Sequence, residues 1–299
     1  MDFKISSPGK LLITSEYYVT KGALALAIPT KFRQSLEFKC DSSNKLKWKS
    51  FDENNELWIN CEFELSSFEI KKNKNKFSKT LQSILISANK INPMFLKNNC
   101  GGSVSTHLNY SKKWGLGTSS TLINNISKWA NIDPYELLWS NYKGSGYDIA
   151  CALAKTPILY KLEDSIPIAK SVQFNPDYTK NIFFVYLNKK QDSNKEIDKF
   201  FEMKISDLKI KKLSDLTLEF VNSKTLLDLQ NCIKKHENII SETLKTIPVK
   251  NKYFNDYKGE IKSLGAWGGD FILAAGPINS KKYFYEKGYK TVFNFKEIF

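Results

Sequence analysis

Apolar and polar positions alternate along residues 46–51 and again along 57–63, and the Asp52-Glu53-Asn54-Asn55 step between them reads as the turn of a β-hairpin. The period becomes helical over 77–90, where Leu81, Ile84, Leu85 and Ala88 share a face and Asn92-Pro93 supplies the stop. A second helix is predicted at 118–130. A third runs from the cap Asp133 and first-turn Pro134 to about Tyr142. Strand-like runs occupy 3–6, 10–14, 23–28, 103–108, 157–162, 182–187, 271–275 and 291–295. From 192 to 244 the pattern is mainly helical, with Leu226, Leu229, Ile233 and Ile240 on one face, and a short helix is expected at 281–287. No long repeat is visible, which removes solenoids and propellers. A β-rich first half and a helix-rich second half predict a two-lobe α+β protein of 299 residues, with lobes 1–170 and 171–299 and the join near 163–180.

Composition narrows the function classes. Apolar residues make up 41% of the chain, enough for real cores and too many for a disordered tail. No apolar run approaches the ~20 residues of a membrane helix, and residues 1–4 do not open a secretory signal, so a cytoplasmic protein without a membrane partner is expected. The net charge of +14 invites a nucleic-acid reading. Arg33 is the only arginine, however, and the lysines are scattered, so the fork that reads phosphates and base edges is missing and no nucleic-acid partner is expected. The surplus favours small anionic substrates. Five cysteines without a Cys-x-x-Cys pair support neither a disulfide framework nor a zinc site. His107 and His236, the only histidines, leave little material for a metal site or a Ser/His/Asp triad.

Three segments could carry chemistry. In Trp114-Gly115-Leu116-Gly117-Thr118-Ser119-Ser120-Thr121, glycines let the backbone close on an anion while Thr and Ser at a helix start present hydroxyls and N–H groups. The octapeptide fits a phosphate cradle, and equally an ordinary helix start after a glycine turn. In Ser7-Pro8-Gly9-Lys10, followed by Ser15-Glu16-Tyr17, a lysine enters an apolar strand, which is costly unless it meets an anion or points from an edge into water. In Lys143-Gly144-Ser145-Gly146-Tyr147-Asp148-Ile149-Ala150, an aspartate follows a flexible turn. Taken alone it reads as a helix cap.

Together and in this order, the segments resemble the signatures of the GHMP kinase superfamily, named for galactokinase, homoserine kinase, mevalonate kinase and phosphomevalonate kinase. Ser7-Pro8-Gly9-Lys10-Leu11-Leu12 with Glu16-Tyr17 is similar to the first motif, and Gly115-Leu116-Gly117-Thr118-Ser119-Ser120 to the ATP-phosphate loop. Ser263-Leu264-Gly265-Ala266-Trp267-Gly268-Gly269-Asp270 resembles the third, glycine-rich motif, and Gly146-Tyr147-Asp148-Ile149-Ala150 spells the pentapeptide of the GYDIA branch. The resemblance spans nearly the whole chain. Three departures stand out: Ser111 where a proline usually precedes the phosphate loop, Trp267 where small residues are common, and Tyr17 where many relatives have histidine.

The resemblance implies the two-lobe GHMP kinase fold, with an N-terminal ribosomal-S5-domain-2-like α/β lobe that binds ATP and a helix-rich α+β C-terminal lobe. It implies ATP and Mg²⁺ as cofactors and phosphoryl transfer to a small anionic alcohol or phosphate, with mevalonate or its 5-phosphate the favoured acceptor. Asp148 would orient or deprotonate the acceptor hydroxyl, and Lys10 would pair with it and with the transferring phosphoryl group. Gly115, Leu116, Gly117, Thr118, Ser119 and Ser120 would hold the nucleotide. Ser119 and Glu136 would serve Mg²⁺, and Glu16, Tyr17, Ser145, Gly146, Gly268 and Gly269 would line the acceptor site. A homodimer is compatible with the resemblance. The competing readings are the ATP-dependent diphosphomevalonate decarboxylase, a homoserine or sugar kinase, and a noncatalytic basic binding protein.

Overall fold

The computed structural model describes residues 2–41, 43–97, 101–189, 200–265, 267 and 269–299. The chain forms two compact units. The first comprises Met1–Gly9, Phe32–Lys112 and Leu116–Leu153, the second Lys10–Lys31, Lys113–Gly115 and Ala154–Phe299.

In the first unit, β3 (Lys45–Phe51) pairs antiparallel with β4 (Leu57–Glu64), the expected hairpin, and β4 continues to β5 (Ile70–Lys72). On its other side β3 runs parallel to β6 (Gly102–Leu108), which pairs antiparallel with residues 34–40 of β2 (Ala25–Cys40). Strict alternation decides the faces: Leu46, Trp48 and Ser50 point inward, while Lys45, Lys47 and Lys49 are exposed. Against the inner face pack α1 (Lys76–Ile91), α2 (Thr118–Ala130) and α3 (Pro134–Trp139), through Leu81, Leu85, Ile123, Ile126 and Leu137. Helix α1 starts where Asn75 accepts from the amides of Phe77 and Ser78 and Ser78 Oγ accepts from the Asn75 amide, a reciprocal cap.

In the second unit, β10 (Glu260–Ser263), β11 (Phe271–Ala275), β9 (Ile182–Tyr186) and β12 (Val292–Asn294) form an antiparallel sheet in that order. β9 and β11 are its central strands, and every residue of both is buried. Their continuous apolar runs follow from this, because neither face meets water. Helices α5 (Asp207–Asn222) and α6 (Leu226–Leu244) pack together, and α6 also lies on β10. The helix α7 (Val249–Tyr253) and α8 (Ser280–Glu286) contribute Val249 and Phe284 to the core, and α9 (Phe295–Ile298) ends the chain. A hairpin of β7 (Ile158–Glu163) and β8 (Ile166–Ser171) pairs with residues 25–27 of β2.

Four features depart from the expected elements. The runs 3–6 and 10–14 belong to one strand, β1 (Phe3–Leu12), which pairs with β2. Pro8 is tolerated inside it because β1 lies off the main strand path, where a missing N–H costs no second ladder. β2 runs twelve residues beyond the expected end at Ile28, since Pro29 falls between the ladder to β7 and the ladder to β6. Helix α3 stops at Trp139 instead of near Tyr142. Cys40 is disulfide-bonded, against the expectation from cysteine spacing, while Cys61, Cys151 and Cys232 are buried and outside any disulfide. Among the described residues no helix is long and apolar enough to cross a membrane.

Candidate active site

The glycine-rich turn between β6 and α2 is built to leave a helix end open. Gly117, with φ 89°, is the N-cap of α2 and brings no side-chain oxygen to the first-turn amides. Those amides and the positive end of the helix dipole are left to water or to an anion. Ser120 and Thr121 turn inward: Ser120 Oγ donates to the Gly117 carbonyl at 2.9 Å, and Thr121 Oγ1 donates to Gln34 Oε1 at 2.6 Å. Ser119 is exposed on the first turn and Thr118 is half-buried. Of the hydroxyls in the motif, that of Ser119 is the one presented outward. The residues just before the turn lie in the second unit. There Trp114 meets the rings of Phe293 and Phe271 edge-on, and Tyr186 Oη donates to the Lys113 carbonyl at 3.0 Å. Gly115 has φ 67° and rests against the buried carboxylate of Asp270.

Asp148 lies one residue inside α4 (Tyr147–Leu153), in its first turn, and is half-buried. The helix follows Gly146, whose φ of 82° suits glycine and whose α-carbon lies against Tyr135 so closely that a Cβ would meet the ring at 3.1 Å. Burial, and then the charge of Asp148, push the Tyr135 phenol well above its ordinary range. Ser145 is buried beside them. Helix α4 packs against α2, where Asn124 Nδ2 donates to the Ala152 carbonyl at 3.2 Å. Helices α2 and α4 therefore share a foundation. Ser7 of the first motif is tied to the same foundation: its hydroxyl donates to Asn125 Oδ1 at 2.7 Å and accepts from Asn124 Nδ2 at 2.8 Å, all buried.

In the second unit, Lys10 is half-buried on β1, but Glu16 is fully buried and Tyr17 nearly so. The Glu16 carboxylate pairs with the equally buried Lys262, whose ammonium also faces Glu237 at 3.6 Å. Glu237 Oε2 in turn accepts from the amide of Ser263 at 3.2 Å and from its hydroxyl at 3.1 Å. His236 Nε2 accepts from the Ser15 amide at 2.8 Å, which fixes the neutral tautomer with its proton on Nδ1. Burial, and then Lys262, hold that imidazole well below its ordinary pKa. Burial outweighs Lys262 for both acids, raising Glu16 to about 8 and Glu237 to about 7. One lysine cannot neutralise two buried carboxylates, so a proton is retained in the cluster near neutrality. Glu16 Oε2, Glu237 Oε1 and His236 Nδ1 make no hydrogen bond among the described residues.

The first unit thus carries Leu116, Gly117, Thr118, Ser119, Ser120, Glu136, Ser145, Gly146 and Asp148, and the second carries Lys10, Glu16, Tyr17, Gly115 and Gly269. Gly268 lies outside the described residues. Glu136 is exposed on the first turn of α3. Lys262, Glu237, His236 and Asp270 are polar residues of the interior that the sequence reading did not single out for a role. The signal for two of them was present: His236 and Glu237 continue the buried helical face of Leu229, Ile233 and Ile240.

By sequence the chain matches no family model and no curated protein. By structure it is similar to the mevalonate kinase of Methanococcus jannaschii, with a TM-score of 0.69 and 15% identity over 98% of each chain. It is similar also to the Streptococcus pneumoniae phosphomevalonate kinase in complex with phosphomevalonate and AMPPNP, with a TM-score of 0.71 and 14% identity over 98% of this chain and 99% of that one. A galactokinase from Lactococcus lactis, complexed with galactose, gives a TM-score of 0.69 and 13% identity over 98% of this chain and 92% of that one. Three enzymes with different acceptors share this architecture, and over nearly its whole length the chain has the fold of the GHMP kinases.

Proposed function

We propose that the protein is an ATP-dependent small-molecule kinase. The observation that carries this reading is the open N-terminus of α2 at Gly117, mounted on the same helix packing as Asp148 in the first turn of α4. An uncapped helix end binds phosphate, and a carboxylate can take a proton from an alcohol. The fold neighbours support the reading, since one was solved with AMPPNP and with its phosphorylated acceptor.

In this reading Leu116, Gly117, Thr118 and Ser120 shape the nucleotide cradle, with Gly115 as its first hinge. Asp148 orients the acceptor hydroxyl and accepts its proton, and Lys10 offsets charge on the transferring group. Phosphoryl transfer needs little more than such positioning. Mg²⁺ takes hard oxygen donors and keeps several waters and nucleotide oxygens. Among the described residues no cluster of three or more acidic, His or Cys side chains could hold a metal alone. The outward hydroxyl of Ser119 fits a cation shared with the nucleotide, and Glu136 is the acid assigned to it. When bound, Mg²⁺ would neutralise charge on the phosphates. Residues 1–170 would be the nucleotide lobe and 171–299 the C-terminal lobe.

The acceptor proposed is mevalonate or its 5-phosphate, on the strength of the Glu16-Tyr17 and Ser145-to-Ala150 likeness and of the basic surplus. The test is a melting curve with Mg-ATP, then coupled ADP release with mevalonate, phosphomevalonate, homoserine and galactose. A rise in Tm with Mg-ATP and turnover with one of the mevalonate compounds are expected. No shift at millimolar nucleotide would overturn the kinase reading. Higher kcat/KM on galactose or homoserine would overturn the acceptor alone.

A further inference from the structure

The segment Ser15-Glu16-Tyr17 has a backbone that its residue types do not favour. Ser15 has φ 60° and Tyr17 has φ 64° with ψ −49°, and the Tyr18 amide donates to the Glu16 carbonyl at 2.7 Å. That is a three-residue γ-turn of the positive-φ kind, a strained form that a bulky aromatic residue adopts only when its surroundings impose it. The surroundings do so at every position. The Ser15 amide donates to His236, the Glu16 carboxylate pairs with Lys262, and Tyr18 Oη is bonded to Thr243 Oγ1 at 2.6 Å. The Tyr17 ring packs at 5.5 Å on Phe200.

The clamped turn also reaches the segment that follows β10. The Tyr17 hydroxyl accepts the backbone N–H of Trp267 at 3.0 Å, and both residues are buried. Five residues earlier in the same segment, Lys262 is the partner of Glu16. Adjacent residues of one strained turn therefore grip the glycine-rich segment at two points, its entry and its middle. The phenol keeps its own O–H to donate, but the amide it accepts from and the Phe200 ring hold its side chain in the interior.

We propose that Tyr17 is a positioning residue: its hydroxyl fixes the Trp267 amide and so sets the conformation of the glycine-rich turn, without touching the acceptor. The consequence for turnover rests on the kinase reading above; the structural statement does not. The experiment is amide exchange at Trp267 by NMR of ¹⁵N-tryptophan-labelled protein, for the wild type, Tyr17→Phe and Tyr18→Phe. Tyr17→Phe keeps the ring on Phe200 and should speed exchange at Trp267 roughly fivefold or more, the size of one lost hydrogen bond. Tyr18→Phe removes only the neighbouring bond to Thr243 and should leave Trp267 unchanged. Equal rates in the wild type and Tyr17→Phe, or equal acceleration by both variants, would overturn the proposal. In the kinase assay Tyr17→Phe should lower kcat about fivefold with little change in acceptor KM. A rise in acceptor KM at constant kcat would instead make Tyr17 an acceptor contact and overturn it. If Mg-ATP leaves the wild-type Tm unchanged, the kinase reading fails and the exchange rates decide the positioning role alone.

Discussion

The carboxylate of Asp270 occupies the space that a β-carbon on Gly115 would need: a Cβ built there would lie 2.6 Å from Cγ and Oδ2 and 2.9 Å from Oδ1. Gly115 also has φ 67°, so a side chain is opposed by its own backbone as well as by its neighbour. Asp270 cannot easily retreat, because it is buried and its backbone is bonded to the Lys189 carbonyl and the Leu187 amide. Gly115→Ala should cost about 1–3 kcal/mol and abolish the Tm shift by Mg-ATP. Adding Asp270→Ala should recover part of that stability, a coupling of about 0.5–3 kcal/mol in a double-mutant cycle measured by urea unfolding. Strict additivity would mean that the two residues do not constrain each other.

Asp148→Asn tests the catalytic assignment. Asp148 lies inside the first turn of α4 and not at its cap, so the amide should leave the fold and ATP affinity intact. Turnover should fall on the order of 10²-fold or more if the carboxylate handles the acceptor proton. Steady-state kinetics on the true acceptor, with nucleotide affinity measured in parallel, separate the two effects. Near-wild-type turnover would remove Asp148 from the reaction.

The buried acids make stability depend on pH in a definite direction. Glu237 and Glu16 hold protons up to about 7 and about 8, well above the value near 4.5 of the unfolded chain. Their contribution is complete below that unfolded value and is lost as pH rises through 7 and 8. His236 has the opposite sign, since it stays neutral and loses stability only as pH falls below 6.5. Between about pH 6.5 and 8.5 the acids dominate, and Tm should fall. Glu237→Gln, which can still accept from Ser263, should flatten this slope. A Tm that rises over the same interval contradicts the assignment. Lys262→Met removes the cation that both acids face and should destabilise the protein, more at about pH 8.5 than at about pH 6, where the acids keep their protons.

Ser7→Ala should destabilise the first unit through its neighbours. The hydroxyl is the shared partner of Asn125 Oδ1 and Asn124 Nδ2; without it Asn125 Oδ1 would lose its bond from Ser7, and Asn124 Nδ2 would keep only the Ala152 carbonyl. About 1–3 kcal/mol is expected, read as a lower urea midpoint at unchanged m-value. An effect within a few tenths of a kcal/mol would show that a water takes the place of the hydroxyl.

What could be read in advance follows from the range of the interactions involved. The hairpin of β3 and β4 and the helices α1 and α2 were legible because their patterns are local and their ends carry Asp-Glu-Asn-Asn, Asn92-Pro93 and the glycine-rich turn. The length of β2 was not, because Pro29 looks like a strand end until its position between two separate ladders is known. The glycine-rich turn and Asp148 stood out by composition and resemblance. The partners of Glu16 did not, since Lys262 lies 246 residues away and looks like any surface lysine in a lysine-rich chain. Long-range charge pairing leaves almost no local trace. That is why the burial of Glu16 and its pairing with Lys262 could not be read in advance.

The placement of the tryptophans has a practical consequence for all of these measurements. Trp48 is wholly buried, with its indole N–H on Ser50 Oγ, and it shares the first unit with Trp58, Trp129 and Trp139; the second unit holds Trp114 and Trp267. Intrinsic fluorescence is therefore a lopsided reporter, weighted four to two toward the first unit. A variant such as Lys262→Met, whose damage begins in the other unit, would be under-recorded by an emission curve that a calorimeter would register in full. Replacing Trp48 with phenylalanine would bring the weighting to three against two.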